Sequence, residues 1–372
     1  PALVVVYATL GIPIARLADR KSRVNIMSLA IAAWSLVVTL SAAVTSFWQF
    51  ALARIGVGVG EAGFSAIGQS LLVDYHSEKD RNRAISIFML AIPLGGVLSN
   101  LFAGWINELY GWRAVFVAAG LPGIALAMLL KLTVREPARV MGDRAARLTG
   151  ELSLWRVVAS VWRRPSLRWL ALGMVLLNTV AAAMVTWMPT FFTRMHGAPT
   201  GELGTWMAVI NGVGGSAGIW LGGYVADRVG AGDKTAPARV IGMVSLLIAP
   251  ALLLALWTSS STLAFLLLLP AYGLMFFFFG PTFVMVQGLC RPEMRATVLA
   301  VFLLLQTLAG GFLGIQFLGV MSDALSLMTG SSAIGLKWSM SGMTLLALPG
   351  AAIFWRAAGA IRVETAQAGG TP

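Results

Sequence analysis

The sequence predicts an all-α integral membrane protein: two pseudo-symmetric six-helix bundles, eleven of whose helices fall within these 372 residues. Three observations predict this fold. The chain is 58% hydrophobic and 11% charged, with a mean hydropathy of +0.82. A soluble domain carries roughly 25% charged residues, so lipid is the solvent that fits. Basic residues crowd into alternate loops. A short motif recurs in the two halves of the chain.

The spans are helices rather than barrel strands. Barrel strands are about ten residues of alternating polarity, whereas runs such as ALLLALWTSSSTLAFLLLLPAYGLMFFFFG (251–280) are long and continuous. A helix needs about 20 apolar residues to cross. In chain order the apolar segments are 1–15, 24–45, 48–73, 83–107, 113–132, 168–192, 203–225, 239–257, 262–289, 296–321 and 338–358. They divide into an N-terminal bundle (1–132), a linker (133–167), a C-terminal bundle (168–358) and a tail (359–372). Pro1 falls inside an apolar run, so one more helix is expected upstream of the sequence given.

All but four of the 27 Lys and Arg residues lie in one set of alternate loops, the linker and the tail. The other loops hold only Arg113, Arg194 and Lys337, and Arg54 is alone within a span. The positive-inside rule places the basic set, with the linker and C-terminus, in the cytoplasm. That distribution accounts for the net charge of +12 without nucleic acid. Within the linker, LSLWRVVASVWRRP (152–165) has apolar residues at helical spacing. It suits either an interfacial amphipathic helix or a soluble connector.

Ala-Asp-Arg ends a span in ARLADRKSRV (15–24) and again in GGYVADRVGAG (222–232). Repetition on either side of a long linker is a mark of transporters built from two bundles.

These residues carry a resemblance. Small-x-x-x-Asp-Arg-x-x-Arg after the second helix resembles the loop signature of the major facilitator superfamily, with Ala15 where glycine is usual. Arg54 followed by Gly56, Gly58 and Gly60 is similar to that superfamily's fourth-helix motif. RIGVGVGEAGFSAIGQSLLVDY (54–75), RNRAISIFMLAIPLGG (81–96), GWRAVFVAAGLPGIALAMLLKLTVREP (111–137), TWMPTFFTRMHG (186–197) and RATVLAVFLLLQTLAGGFLG (295–314) resemble its spinster-like branch. The resemblance implies the major facilitator fold and alternating access. It also implies a lipid-type substrate, since spinster-like proteins include exporters of sphingoid or lysophospholipid-type molecules.

Glu61 sits near the middle of its span, where a charge costs on the order of 2.5–3.5 kcal/mol and faces a cavity or a partner. Low dielectric favours the neutral acid. Such a group can take up a proton on one side and release it on the other, the role the resemblance implies, or simply hydrogen-bond a neighbouring helix. Arg54, two turns earlier, shares its face about 10 Å away in rise. It is expected to pair with the upstream helix, to act on Glu61 through water, or to snorkel outward. Gly56, Gly58 and Gly60 allow close approach of another helix or of substrate.

Asp19, Arg20, Arg23 and Asp74 form an expected cytoplasmic charge cluster, repeated in part by Asp227 and Arg228. In the family pattern such a cluster latches the two halves; otherwise it serves solubility. Candidates for a substrate pocket are Asn178, Trp187, Asn211, Phe279 and Gln287, with Asn100, Gln306 and Phe276 among the other polar and aromatic residues inside spans. Few central cations disfavour a small dianion, which calls for opposed basic side chains.

No cofactor or metal is expected. Cys290 is the only cysteine, and His76 and His196 are far apart with no ligand pattern. No nucleophile–base set can be assembled, so the chain is not read as an enzyme. The expected partners are the bilayer, protons and a small organic or lipid substrate, with the protein acting as a monomer in the plasma (inner) membrane. An organic-anion symporter on the same fold and a non-transporting sensor are the competing readings.

Overall fold

The computed structural model describes residues 22–61, 64–77, 80–136, 154–290 and 294–369. The segment expected at 1–15, with Asp19 and Arg20, lies outside the described residues. The chain divides into two compact units, Pro1–Glu151 and Leu152–Pro372. Among the described residues all regular structure is helical.

In the first unit α1 (Arg23–Leu40) is flanked by α2 (Phe47–Glu61) and α5 (Trp112–Thr133), with α3 (Phe64–Tyr75) and α4 (Arg81–Tyr110) completing the group. Small residues set the spacing. A Cβ added to Gly120 of α5 would lie 2.1 Å from Thr39 Oγ1, and one on Gly123 would lie 2.1 Å from Ser35 Oγ. Membrane helices gain little from hydrophobic exclusion, so contact of this closeness is what holds them together.

The second unit opens with α6 (Leu154–Arg163), the amphipathic stretch of the linker. Its buried Val161 joins the core of the unit and Val158 packs against it, while Trp162 is exposed. Next comes α7 (Pro165–His196), which ends at Gly197 in the left-handed conformation. Helix α8 (Thr200–Val209) widens into a π-helical turn (Ile210–Gly215) and continues as α9 (Ser216–Gly230). Then follow α10 (Ala236–Trp257), α11 (Ser261–Phe276), α12 (Phe279–Leu289) and α13 (Arg295–Leu305). A second π-helical turn (Gln306–Gly314) leads into α14 (Ile315–Thr329), α15 (Ser332–Thr344) and α16 (Ala347–Gly369).

Gly214, Gly218 and Gly222 fall on one face and meet the α11 backbone and its continuation. A Cβ on Gly218 or Gly222 would lie 2.1 Å from the carbonyl oxygen of Gly273 or Phe277. The core is formed by α7 packed on α16 and on the second π turn, with Phe191, Phe192, Phe265 and Phe354 buried.

Seven helical stretches of the described residues are long and apolar enough to cross a membrane. The other described segments are helical too: 48–61 within α2 and 64–73 within α3, 83–107 as α4, and 203–225 as α8, the π turn and α9. The last helix runs on to Gly369 through the stretch read as a tail. In that stretch Glu364 pairs with Arg164 at 2.9 Å, and just before it Arg356 lies over the Trp169 ring at 5.5 Å.

Candidate functional site

Arg23 opens α1 and is held from three sides. Its Nη1 donates to Asp74 Oδ2 at 2.6 Å and to Ser70 Oγ at 2.9 Å, both on α3. Its Nε donates to Glu136 Oε1 at 2.9 Å. The other oxygen of Glu136 accepts from Ser22 Oγ at 2.9 Å and from the Val24 N–H at 3.0 Å. A carboxylate thus covers the free N–H groups at the start of α1, where the helix dipole favours negative charge. The Arg23 and Asp74 side chains are 6% and 4% exposed, that of Glu136 29%. Burial alone would raise the Glu136 carboxyl, but the bonds from Val24, Arg23 and Ser22 outweigh it and hold the group below the ordinary carboxylate range. Among the described residues the charge cluster is thus an Arg23–Asp74–Glu136 triad with Ser70 beside it.

The glycine strip of α2 divides by face. Gly56 meets Val37 and Gly60 meets Trp34, where an added Cβ would lie 2.7 Å from the Trp34 Cβ. Both therefore serve packing on α1; Gly58 is buried. Arg54 Nη2 donates to Ser41 Oγ at 2.9 Å, and its guanidinium lies 4.9 Å from the Phe50 ring centre and 5.1 Å from that of Phe116. Its Nε is buried with no hydrogen-bond partner among the described residues. Glu61, in the last described position of α2, is exposed on its unit. No hydrogen bond or ion pair holds its carboxylate among the described residues.

In the second unit the repeated motif behaves differently. Among the described residues Asp227 and Arg228 make no ion pair; Arg228 lies over the Tyr224 ring at 4.4 Å, and Asp227 lines a cavity. The ion pair of that loop joins Asp233 and Arg239.

The pocket candidates are not gathered into one site. Asn178 Nδ2 donates to the Gln306 carbonyl at 3.1 Å, and Gln306 Nε2 returns a bond to Asn178 Oδ1 at 3.0 Å. Further along the same two segments, Trp187 Nε1 donates to the Ile315 carbonyl at 3.2 Å. Asn178 and Trp187 thus fasten α7 along the second π turn and α14, with Gly310 and Gly319 making room for them. Asn211 and Asn100 bond carbonyls of their own helices, Met207 and Gly96. Phe279 belongs to a ring cluster with Phe276, Phe278 and Phe283, and Gln287 is exposed.

Residues 2–315 match the family model of the Major Facilitator Superfamily. The chain is 28% identical to an MFS-type efflux pump of Mycolicibacterium smegmatis over 361 residues, covering 96% of this chain and 82% of that protein. It is 34% identical to human protein spinster homolog 1 over 194 residues, which is 50% of this chain and 37% of that protein. A crystal structure of a bacterial homolog to the human lysosomal transporter spinster, inward-facing and unoccupied, superposes with a TM-score of 0.88 at 28% identity, over 98% of this chain and 88% of that one.

Proposed function

The chain belongs to the Major Facilitator Superfamily and resembles its spinster-like branch, and from that premise we propose that it is a proton-coupled transporter moving a lipid-like or amphiphilic organic molecule by alternating access. Glu61 is the coupling group in this reading, and the Arg23–Asp74–Glu136 triad is part of the latch that one state closes. The protein works as a monomer in the plasma membrane, with the linker and C-terminus cytoplasmic.

The observation that carries the reading is the state of the Glu61 carboxylate. It stands near the middle of the apolar segment 48–73, exposed on its own unit, with no partner among the described residues. Arg54, the span's cation, is engaged by Ser41, Phe50 and Phe116 and so leaves Glu61 free to bind a proton. Coupling then requires only that the proton affinity of Glu61 differ between inward- and outward-open states. A lone acid in a mostly apolar membrane segment suits a substrate that brings hydrocarbon rather than multiple charges.

Reconstituted full-length protein tests this. A pH gradient is expected to drive accumulation of a lysophospholipid or sphingoid base, and Glu61→Gln to remove the gradient's effect. A binding screen in which only organic anions stabilise the purified protein would transfer the reading to an organic-anion symporter.

A further inference from the structure

Two cavities open side by side at the basic-loop end of the second unit, and they differ in character. The first, about 470 Å³, is walled by Pro237, Pro281, Val284, Met285, Leu289 and Ile361, with Asp227 and Lys234 at its polar edge. The second, about 730 Å³, is lined by Lys234, Arg239, Arg362, Asp233 and Trp355. Lys234 and Thr365 line both, so an apolar slot and a basic bowl share a wall.

Comparison within the chain shows why this corner is open. In the first unit the matching corner, at the start of α1, the end of α3 and the segment beyond α5, is filled by Arg23 with Asp74 and Glu136. In the second unit the equivalent elements are α10, α12 and α16. There Arg239 turns to Asp233, and Glu364 is taken by Arg164 and the Ser166 hydroxyl and N–H. The guanidinium of Arg164, which donates to the Leu289 carbonyl of α12 and to Glu364 of α16, is 44% exposed rather than buried between these helices.

We infer that this pair of cavities binds an anionic glycerophospholipid of the adjoining leaflet, with its phosphodiester in the basic bowl and the start of an acyl chain in the apolar slot. Three observations support the assignment. The bowl carries Lys234, Arg239 and Arg362 against Asp233, and adding Asp227 from the slot leaves one net positive charge, which a single phosphodiester neutralises. Trp355 is 42% exposed at the rim and its indole N–H donates to the Arg239 carbonyl at 3.3 Å, which suits a headgroup-level aromatic. Gly288 leaves the slot open: an added Cβ there meets nothing within 4 Å. Basic pockets between membrane helices at a leaflet surface are known to take anionic headgroups. This site is separate from Glu61 and does not depend on the transport reading.

The test is native mass spectrometry of the full-length protein in detergent, titrated with phosphatidylglycerol or phosphatidylcholine. Phosphatidylglycerol is expected to be retained preferentially. Each basic residue is worth about fivefold near an anionic lipid, so Lys234→Gln with Arg362→Gln should weaken retention roughly thirtyfold. Gly288→Leu should block it while leaving melting in lipid-free detergent unchanged or higher. Equal retention of the two lipids, unchanged retention in both variants, or full displacement by millimolar glycerol phosphate would overturn the proposal, the last by assigning the bowl to a soluble anion.

Discussion

Replacing Asp74 by Asn should destabilise the first unit far more than replacing Glu136 by Gln. Asp74 and Arg23 are almost fully enclosed, at 4% and 6% exposure of their side chains. Removing the carboxylate leaves a guanidinium in a low-dielectric corner with a neutral amide and Ser70 for company, and losing one partner of a buried pair costs about 3–5 kcal/mol. Glu136 is 29% exposed, so water replaces part of what the amide of Glu136→Gln cannot offer, and that amide still presents one acceptor oxygen. Loss of a charge-assisted bond with solvent nearby costs about 1–2 kcal/mol. Urea or thermal unfolding of the full-length protein in detergent, followed by helical circular dichroism, reads the two variants side by side. Equal losses, or a larger loss for Glu136→Gln, would refute the claim that burial ranks these contacts.

The same triad predicts a pH dependence. The Glu136 carboxyl is held below its ordinary range, so its contribution is complete above the unfolded-state value near 4.3 and is lost as pH falls through the lower folded-state value. Unfolding midpoints should therefore drop on acidification below about pH 4, and less so in Glu136→Gln. Gly218→Ala should cost the second unit about 1–3 kcal/mol through overpacking against the Gly273 carbonyl, whereas Gly223→Ala, which meets nothing within 4 Å, should be neutral or stabilising in the same melts. Asn178→Ala leaves both the Gln306 side chain and its carbonyl short of a partner, so hydrogen exchange across 306–315 should speed up while exchange in the first unit is unchanged.

Helices were legible because hydropathy and loop charge act over whole segments. The Arg23–Asp74 pair was legible for the same reason: both charges stand at ends of apolar runs on the basic side. Glu136 was not, because among so many linker arginines it reads as a solvated charge; its signal is its place directly after α5, within reach of the start of α1. The partner of Arg54 escaped notice because a serine hydroxyl and two aromatic rings carry no charge pattern. The mutual amide bonds of Asn178 and Gln306 join residues 128 positions apart, and no local periodicity records them. The π turns at Ile210–Gly215 and Gln306–Gly314 leave only a raised glycine content, which membrane helices share in general.

Coupling, in the proposed mechanism, turns on the proton at Glu61. Its most direct test is proton movement into proteoliposomes of the full-length protein, driven by an outward-to-inward gradient of a lysophospholipid and read with an internal pH dye. Substrate-dependent acidification or alkalinisation is expected and should vanish in Glu61→Gln, while proton-independent exchange of labelled for unlabelled substrate survives. Proton movement of the same size in Glu61→Gln would contradict it.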